Sequence, residues 1–146
     1  NRNYFGQENV EAAKSHEIHA ALTRVANVRK DSVALQRGLQ ANERFDEDVA
    51  VFFRVYEKDG VAQTALVILN KGDKPRVVEV DRWLSAGTWR DAISGHVFED
   101  LADSDVMVVT AGAHDLAIYL FDGSVTNAEL RVELERLQAT ARRTTP

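Results

Sequence analysis

Chemistry in a protein needs titratable, nucleophilic or metal-ligating side chains at workable spacing, and this chain offers few. His16 and His19 flank Glu17 in the string His-Glu-Ile-His. A zinc-binding helix sets its histidines four apart with a glutamate beside the first, so that both rings reach one ion. Here the spacing is one residue short, and solvated or packing histidines are the plainer reading. Acids gather at Asp46-Glu47-Asp48 and at Glu99-Asp100, with Asp103 and Asp105 close behind. Two carboxylates held about 5–10 Å apart across a cleft can cleave a glycosidic bond. These acids lie in turn-like stretches of an acidic chain, where solvated loop charge is the expectation. The same acids could hold calcium, but no Asp-x-Asp-x-Asp-Gly loop is present. His96 and His114 fall in glycine-containing turns, which suits an incidental loop role better than base catalysis. The absence of cysteine removes thiolate ligands, disulfides and cysteine nucleophiles together. Neither a phosphate loop, nor Gly-x-Gly-x-x-Gly, nor Gly-x-Ser-x-Gly occurs.

Trp83 and Trp89, with Tyr56 and Tyr119, are the candidates for a sugar-stacking platform, because a flat indole matches the apolar face of a pyranose. The competing reading is core packing. Trp89 alternates with Thr88 and Arg90 in a short strand, and Trp83 stands just before a Ser85-Ala86-Gly87 turn.

The elements that must position these residues follow from periodicity. Glu8 to Lys30 lacks Gly and Pro and repeats Ile18, Leu22 and Val25 at helical spacing, which predicts one long helix meant to be covered. From Asp48 the period becomes two. Asp48 to Glu57 alternates sides, Lys58-Asp59-Gly60 supplies a turn, and Gln63 to Asn70 returns as a more fully buried strand, so the two form a hairpin. Further strands are expected at Arg76–Val80, Thr88–Asp91, His96–Glu99, Val106–Thr110 and Leu116–Phe121. Short strands at steps of about 8–14 residues are the pattern of an antiparallel sandwich. After Gly123, Leu130, Leu134, Leu137 and Ala141 line one face of a closing helix, which Thr126 is placed to cap with Glu129 as its capping-box partner.

Composition agrees. The chain has 146 residues, is 45% hydrophobic and 28% charged, and carries a net charge of −5. This suits one domain, or a domain with an appended element, and excludes a disordered or low-complexity chain. Basic residues are scattered and balanced by acids, so no nucleic-acid stripe is formed. Apolar runs such as Ala65 to Leu69 are far short of the roughly 18 residues a membrane helix needs, so no membrane partner is expected. The chain opens Asn1-Arg2-Asn3 without an initiator methionine, which suggests a piece of a longer protein.

Three landmarks, in order, then resemble the α-amylase family, glycoside hydrolase family 13. Ile18 to Lys30 followed by Val33-Ala34-Leu35-Gln36-Arg37-Gly38 is similar to that family's last barrel helix and its Ala-Leu-x-x-Gly link. Ala65-Leu66-Val67-Ile68-Leu69-Asn70-Lys71 resembles its hydrophobic strand ending in Asn. Gly87-Thr88-Trp89-Arg90-Asp91-Ala92-Ile93-Ser94-Gly95 resembles its Gly-x-Trp/Tyr-x-Asp-x-x-x-Gly segment. Leu116 to Phe121 corresponds to the closing strand, so the resemblance runs over about residues 1–122. The opening Asn1-Arg2 is similar to the end of the Asp-Pro-x-Asn-Arg loop of cyclodextrin glucanotransferases and cyclomaltodextrinases.

The resemblance implies a mainly β fold: an antiparallel Greek-key sandwich like the amylase C-terminal domain, flanked by a long N-terminal helix and a C-terminal helix. It places the end of a barrel domain in residues 1–35, the sandwich in residues 36–123, and a helix and tail in residues 124–146. It implies a non-catalytic fragment of an α-glucan-acting glycosidase or glucanotransferase acting on starch, maltodextrin or cyclodextrin, whose retaining chemistry sits in the missing barrel of the same chain. No residue here is then catalytic and none binds metal. Arg2, Trp83 and Trp89 are the substrate-binding candidates; the chain itself takes no cofactor, and calcium belongs to the parent. An α-glucan and a second copy meeting through the first helix are the other partners. The alternatives are an independent carbohydrate-binding sandwich and a helix-mediated interaction module. The compartment stays open, since a bacterial exported or periplasmic protein and a cytoplasmic one both fit.

Overall fold

The computed structural model describes residues 6–143. The chain divides into two compact units, residues 1–31 and residues 32–146. The first unit holds α1 (Gln7–Ser15) and α2 (Glu17–Asp31). The single helix expected from Glu8 to Lys30 is thus two, because His16 takes an extended backbone with φ −72° and ψ 143°. The Ser15 hydroxyl donates to the Ala12 carbonyl at 3.0 Å, a local bond that competes with the helical ladder where the break occurs. No residue of α1 is buried. In α2, Leu22 is 64% exposed, while Val25 and Val28 are half-buried. The side chain of Ile18 and all of Arg2 lie outside the described residues.

The second unit begins with α3 (Val33–Arg37) and continues through β1 (Leu39–Asp46), β2 (Val49–Lys58), β3 (Val61–Asn70), β4 (Arg76–Val80), β5 (Gly87–Asp91), β6 (Val97–Leu101), β7 (Met107–Ala111) and β8 (Asp115–Phe121) to α4 (Ala128–Arg143). Six strands form one antiparallel sheet in the order β1-β2-β3-β8-β5-β6, and β4 pairs with β7 in a second. The chain leaves the large sheet after β3 and again after β6, and returns each time, so the two sheets are stitched face to face as a sandwich. The antiparallel sandwich with flanking helices is therefore present.

Its core lies where the alternation of β2 predicts. Val49, Val51, Phe53 and Val55 are buried, and Leu66 and Ile68 of β3 sit opposite Phe53 and Val51. Val78 and Val80 of β4 with Met107 and Val109 of β7 close the layer from the other side. α4 completes it: Leu130 and Leu134 are buried in the same cluster, with Leu137 packed against it. The closing helix is thus part of the sandwich core rather than an appendage. Its cap is Asn127, whose Oδ1 accepts from the Leu130 amide at 3.1 Å. Thr126, expected in that role, instead donates its hydroxyl to Asp103 at 2.5 Å and offers its amide to the Ser85 hydroxyl. An Asn side chain is as good a cap as Thr, and tertiary partners claim the Thr.

Strand β1 is the element the sequence did not disclose. Leu-Gln-Ala-Asn-Glu-Arg-Phe-Asp lacks an apolar alternation because a bulge between Asn42 and Arg44 shifts the register. The Gly38 that precedes it is required by space: a Cβ there would strike the Ala34 carbonyl oxygen and come within 2.9 Å of the Val55 nitrogen.

Candidate functional site

The residues of the second and third sequence landmarks turn out to hold the sandwich together. Trp89 is fully buried. Its ring stacks on Phe121 at 5.3 Å and meets Phe53 edge-on at 6.4 Å, and its indole N–H donates to the Ser85 carbonyl at 2.9 Å. Gly87 has φ 131°, and a Cβ there would lie 2.9 Å from the Phe121 ring, so glycine is needed to seat that ring against the strand. Trp83 is 6% exposed, lies edge-on to Phe53 at 5.8 Å and carries the Arg82 guanidinium over its ring. Neither indole offers a face to a sugar. The stacking role expected of Trp83 and Trp89 fails for the reason that large aromatics supply most area when buried.

Asp91 is a turn-former. Its Oδ1 accepts from the amides of Ile93 and Ser94, and its Oδ2 from the Ser94 hydroxyl. Asn70, 2% exposed at the end of β3, ties two turns together: its Nδ2 donates to the carbonyls of Lys74 and Gly112, both at 2.8 Å, and more weakly to Ala111 at 3.3 Å. Its Oδ1 accepts from the Gly72 amide at 3.0 Å. The loop acids behave likewise. Asp103 accepts from the Ala86 amide, Asp105 from the Ala102 amide, and Asp48 lies 3.6 Å from the Lys71 ammonium. His114 pairs with Asp73 at 2.8 Å on the surface, and His96 lies edge-on to Phe98. Among the described residues, no three His, Asp or Glu side chains converge as metal ligands would, and no helix is long and apolar enough to cross a membrane. Burial, with the Asp91 carboxylate nearby, pushes the Tyr119 phenol above its ordinary value, which keeps it neutral.

What the structure does assemble is a surface. On the side of the large sheet facing away from the core, four strands contribute one cross-strand row, Phe45, Ala50, Leu69 and Leu116, each opposite the next. The row beside it reads Asn42, Phe52, Val67 and Ile118. A sheet face meant for water carries polar residues at these positions. Here seven of the eight are apolar; Phe45 and Leu69 are 68% and 37% exposed, Ala50, Phe52 and Leu116 are half-buried, and Val67 and Ile118 are already buried. The third row turns polar at its ends, with Gln40 and Arg54 on one side and Arg90 on the other of Ala65 and Leu120. The near-continuous apolar runs of β3 and β8 were the sequence signal for this face. The contribution of Phe45 was hidden by the bulge in β1.

No protein-family model matches the chain, and no curated protein matches it. Solved structures do. An Anoxybacillus α-amylase described as representing a new glycosyl hydrolase subclass matches 72% of this chain at 21% identity, with a TM-score of 0.57. An α-amylase from Geobacillus thermoleovorans, solved with acarbose, matches 70% at 17% identity and a TM-score of 0.55. α-Galactosidase I from Mortierella vinacea matches 66% at 15% identity and a TM-score of 0.50. The chain spans 22%, 22% and 27% of those three proteins. Its fold is therefore one that glycosyl hydrolases of more than one specificity carry as a minor part of a longer chain.

Proposed function

We propose that this chain is the non-catalytic end of an α-glucan-acting glycosidase or glucanotransferase, working on starch, maltodextrin or cyclodextrin, and that its sandwich stabilises the catalytic barrel. Within that class, the Asn1-Arg2 opening favours a cyclodextrin glucanotransferase or cyclomaltodextrinase. The single observation that carries the reading is the pair of apolar rows on the outer face of the large sheet, from Phe45 to Leu116 and from Phe52 to Ile118. The exposed part of that band, Phe45 and Leu69, is costly to leave in water and suits the apolar stripes of barrel helices. The resemblance of residues 18–38 to a last barrel helix and its link supports the same reading, as do the amylase neighbours of which the chain spans about a fifth. In this reading the retaining carboxylates belong to the barrel. A glucan contact through Trp83 and Trp89 is no part of this proposal, because both rings are buried.

The test supplies the chain in trans to a cyclomaltodextrinase barrel produced without its own sandwich. The chain raises the melting temperature of that barrel, and Phe45→Asp combined with Leu69→Asp abolishes the effect while leaving the chain's own melting close to wild type. A barrel indifferent to the chain, or glucan cleavage by the chain alone, refutes the proposal.

A further inference from the structure

Away from the apolar face, a group of charges sits where β1, the β4–β5 link and α4 come together. Its centre is Glu43, the extra residue of the β1 bulge. The Glu43 side chain is only 7% exposed, and its Oε2 is buried without a hydrogen-bond partner. The groups that face it are Arg44 of β1, whose Nε is 3.7 Å away, and Asp81 and Arg82 of the β4–β5 link. Arg44 is diverted, since its Nη2 donates to the Glu79 carbonyl of β4 at 2.9 Å. Arg82 is shared: it lies over the Trp83 ring at 5.4 Å and its Nη2 meets Glu129, in the first turn of α4, at 3.3 Å. Trp83 is held with φ 66°, and its indole N–H is also buried without a partner. A strained aromatic backbone and two orphaned polar atoms around one link mark a place whose energetics are unresolved in a single charge state.

We propose that Glu43 is a built-in proton acceptor whose protonation tightens the attachment of α4 to the sandwich. Ionised, its Oε2 lacks water and a hydrogen bond and has only the 3.7 Å pairing with Arg44, and the carboxylate competes with Glu129 for the Arg82 guanidinium. Neutral, it leaves Arg82 to Glu129 and removes a buried, only partly compensated charge from beside the β4–β5 link. Burial is the main cause that raises its proton affinity above that of an ordinary glutamate; Asp81 adds to the rise, and Arg44 and Arg82 oppose it. A folded-state pKa above the unfolded one gives stability that is complete in acid and is lost as pH rises through the folded value. The contribution of Glu43 to stability is therefore present in acid, and α4 loosens as Glu43 ionises.

Carbon-detected NMR titration of the Glu43 carboxyl in the wild-type chain tests this, together with α4 amide exchange and unfolding of Glu43→Gln between pH 4 and pH 8. The wild-type midpoint for Glu43 lies above that of an ordinary glutamate. At pH 7.5 the unfolding constant of Glu43→Gln is smaller than that of wild type by about fivefold or more, the size expected for relieving one buried unsatisfied group. The Leu130 and Leu134 amides of the variant exchange correspondingly more slowly, and by pH 4 the two proteins agree. A Glu43 midpoint at or below that of an ordinary glutamate overturns the proposal, even where the variant does not fold, and so does a stability gap that is the same at every pH.

Discussion

Replacing Asn70 by Asp changes one amide nitrogen to oxygen and leaves the shape of the side chain intact. In the wild type Nδ2 supplies two short bonds, to the carbonyls of Lys74 and Gly112 at 2.8 Å, with a third, longer contact to Ala111. A buried hydrogen bond contributes about 1 kcal/mol net, and leaving its acceptors unmet costs about 1–3 kcal/mol. Two lost bonds, with a carboxylate oxygen now turned toward carbonyl oxygens, destabilise the sandwich by about 3 kcal/mol. For a unit of this size that lowers Tm by roughly 10 °C. The damage is also local. Asn70 joins the turn after β3 to the turn between β7 and β8, so amides at Gly72 and His114, the latter bonded to the Gly72 carbonyl at 3.1 Å, lose exchange protection first. Calorimetry at pH 7 gives the global loss and hydrogen exchange gives its location. Asn70→Asp within 0.5 kcal/mol of wild type, or a loss with both turns still protected, refutes the assignment of Asn70 as the joint between them.

Two further outcomes test other links. Leu130→Ala, at a fully buried position of α4, lowers stability by about 2–4 kcal/mol in chemical denaturation, whereas a surface-lying helix would lose well under 1 kcal/mol. Sedimentation tests self-association through the first unit: with Leu22 at 64% exposure, the chain forms dimers at high concentration, and Leu22→Glu shifts it toward monomer.

Much of this protein was legible from residue order. Alternation in β2 named its core face correctly, because a period of two can bury only one side of a strand. The Asp-Gly turn at Asp59-Gly60 placed the β2–β3 hairpin, and Asp59 and Gly60 indeed take positive φ values of 54° and 79°. The landmark residues Gly38, Asn70, Gly87, Trp89 and Asp91 were legible as a set. What they do was not, since their partners lie far along the chain: Asn70 on Gly112, Gly38 against Val55, Gly87 against Phe121.

Sequence alone determined the antiparallel sandwich and its flanking helices, because turn chemistry and hydrophobic period are local properties. Tertiary structure decided the rest. It turned Trp83 and Trp89 inward, since the space between two sheets is filled most fully by large rings. It drew α4 into the core, where Leu130 and Leu134 join the apolar cluster between the sheets. It raised Glu43 to a buried charge through a bulge that no pattern announced, and it aligned Phe45 with Leu116 across four strands. Which residues stand side by side in a sheet depends on register, and register is a property of the assembled strands.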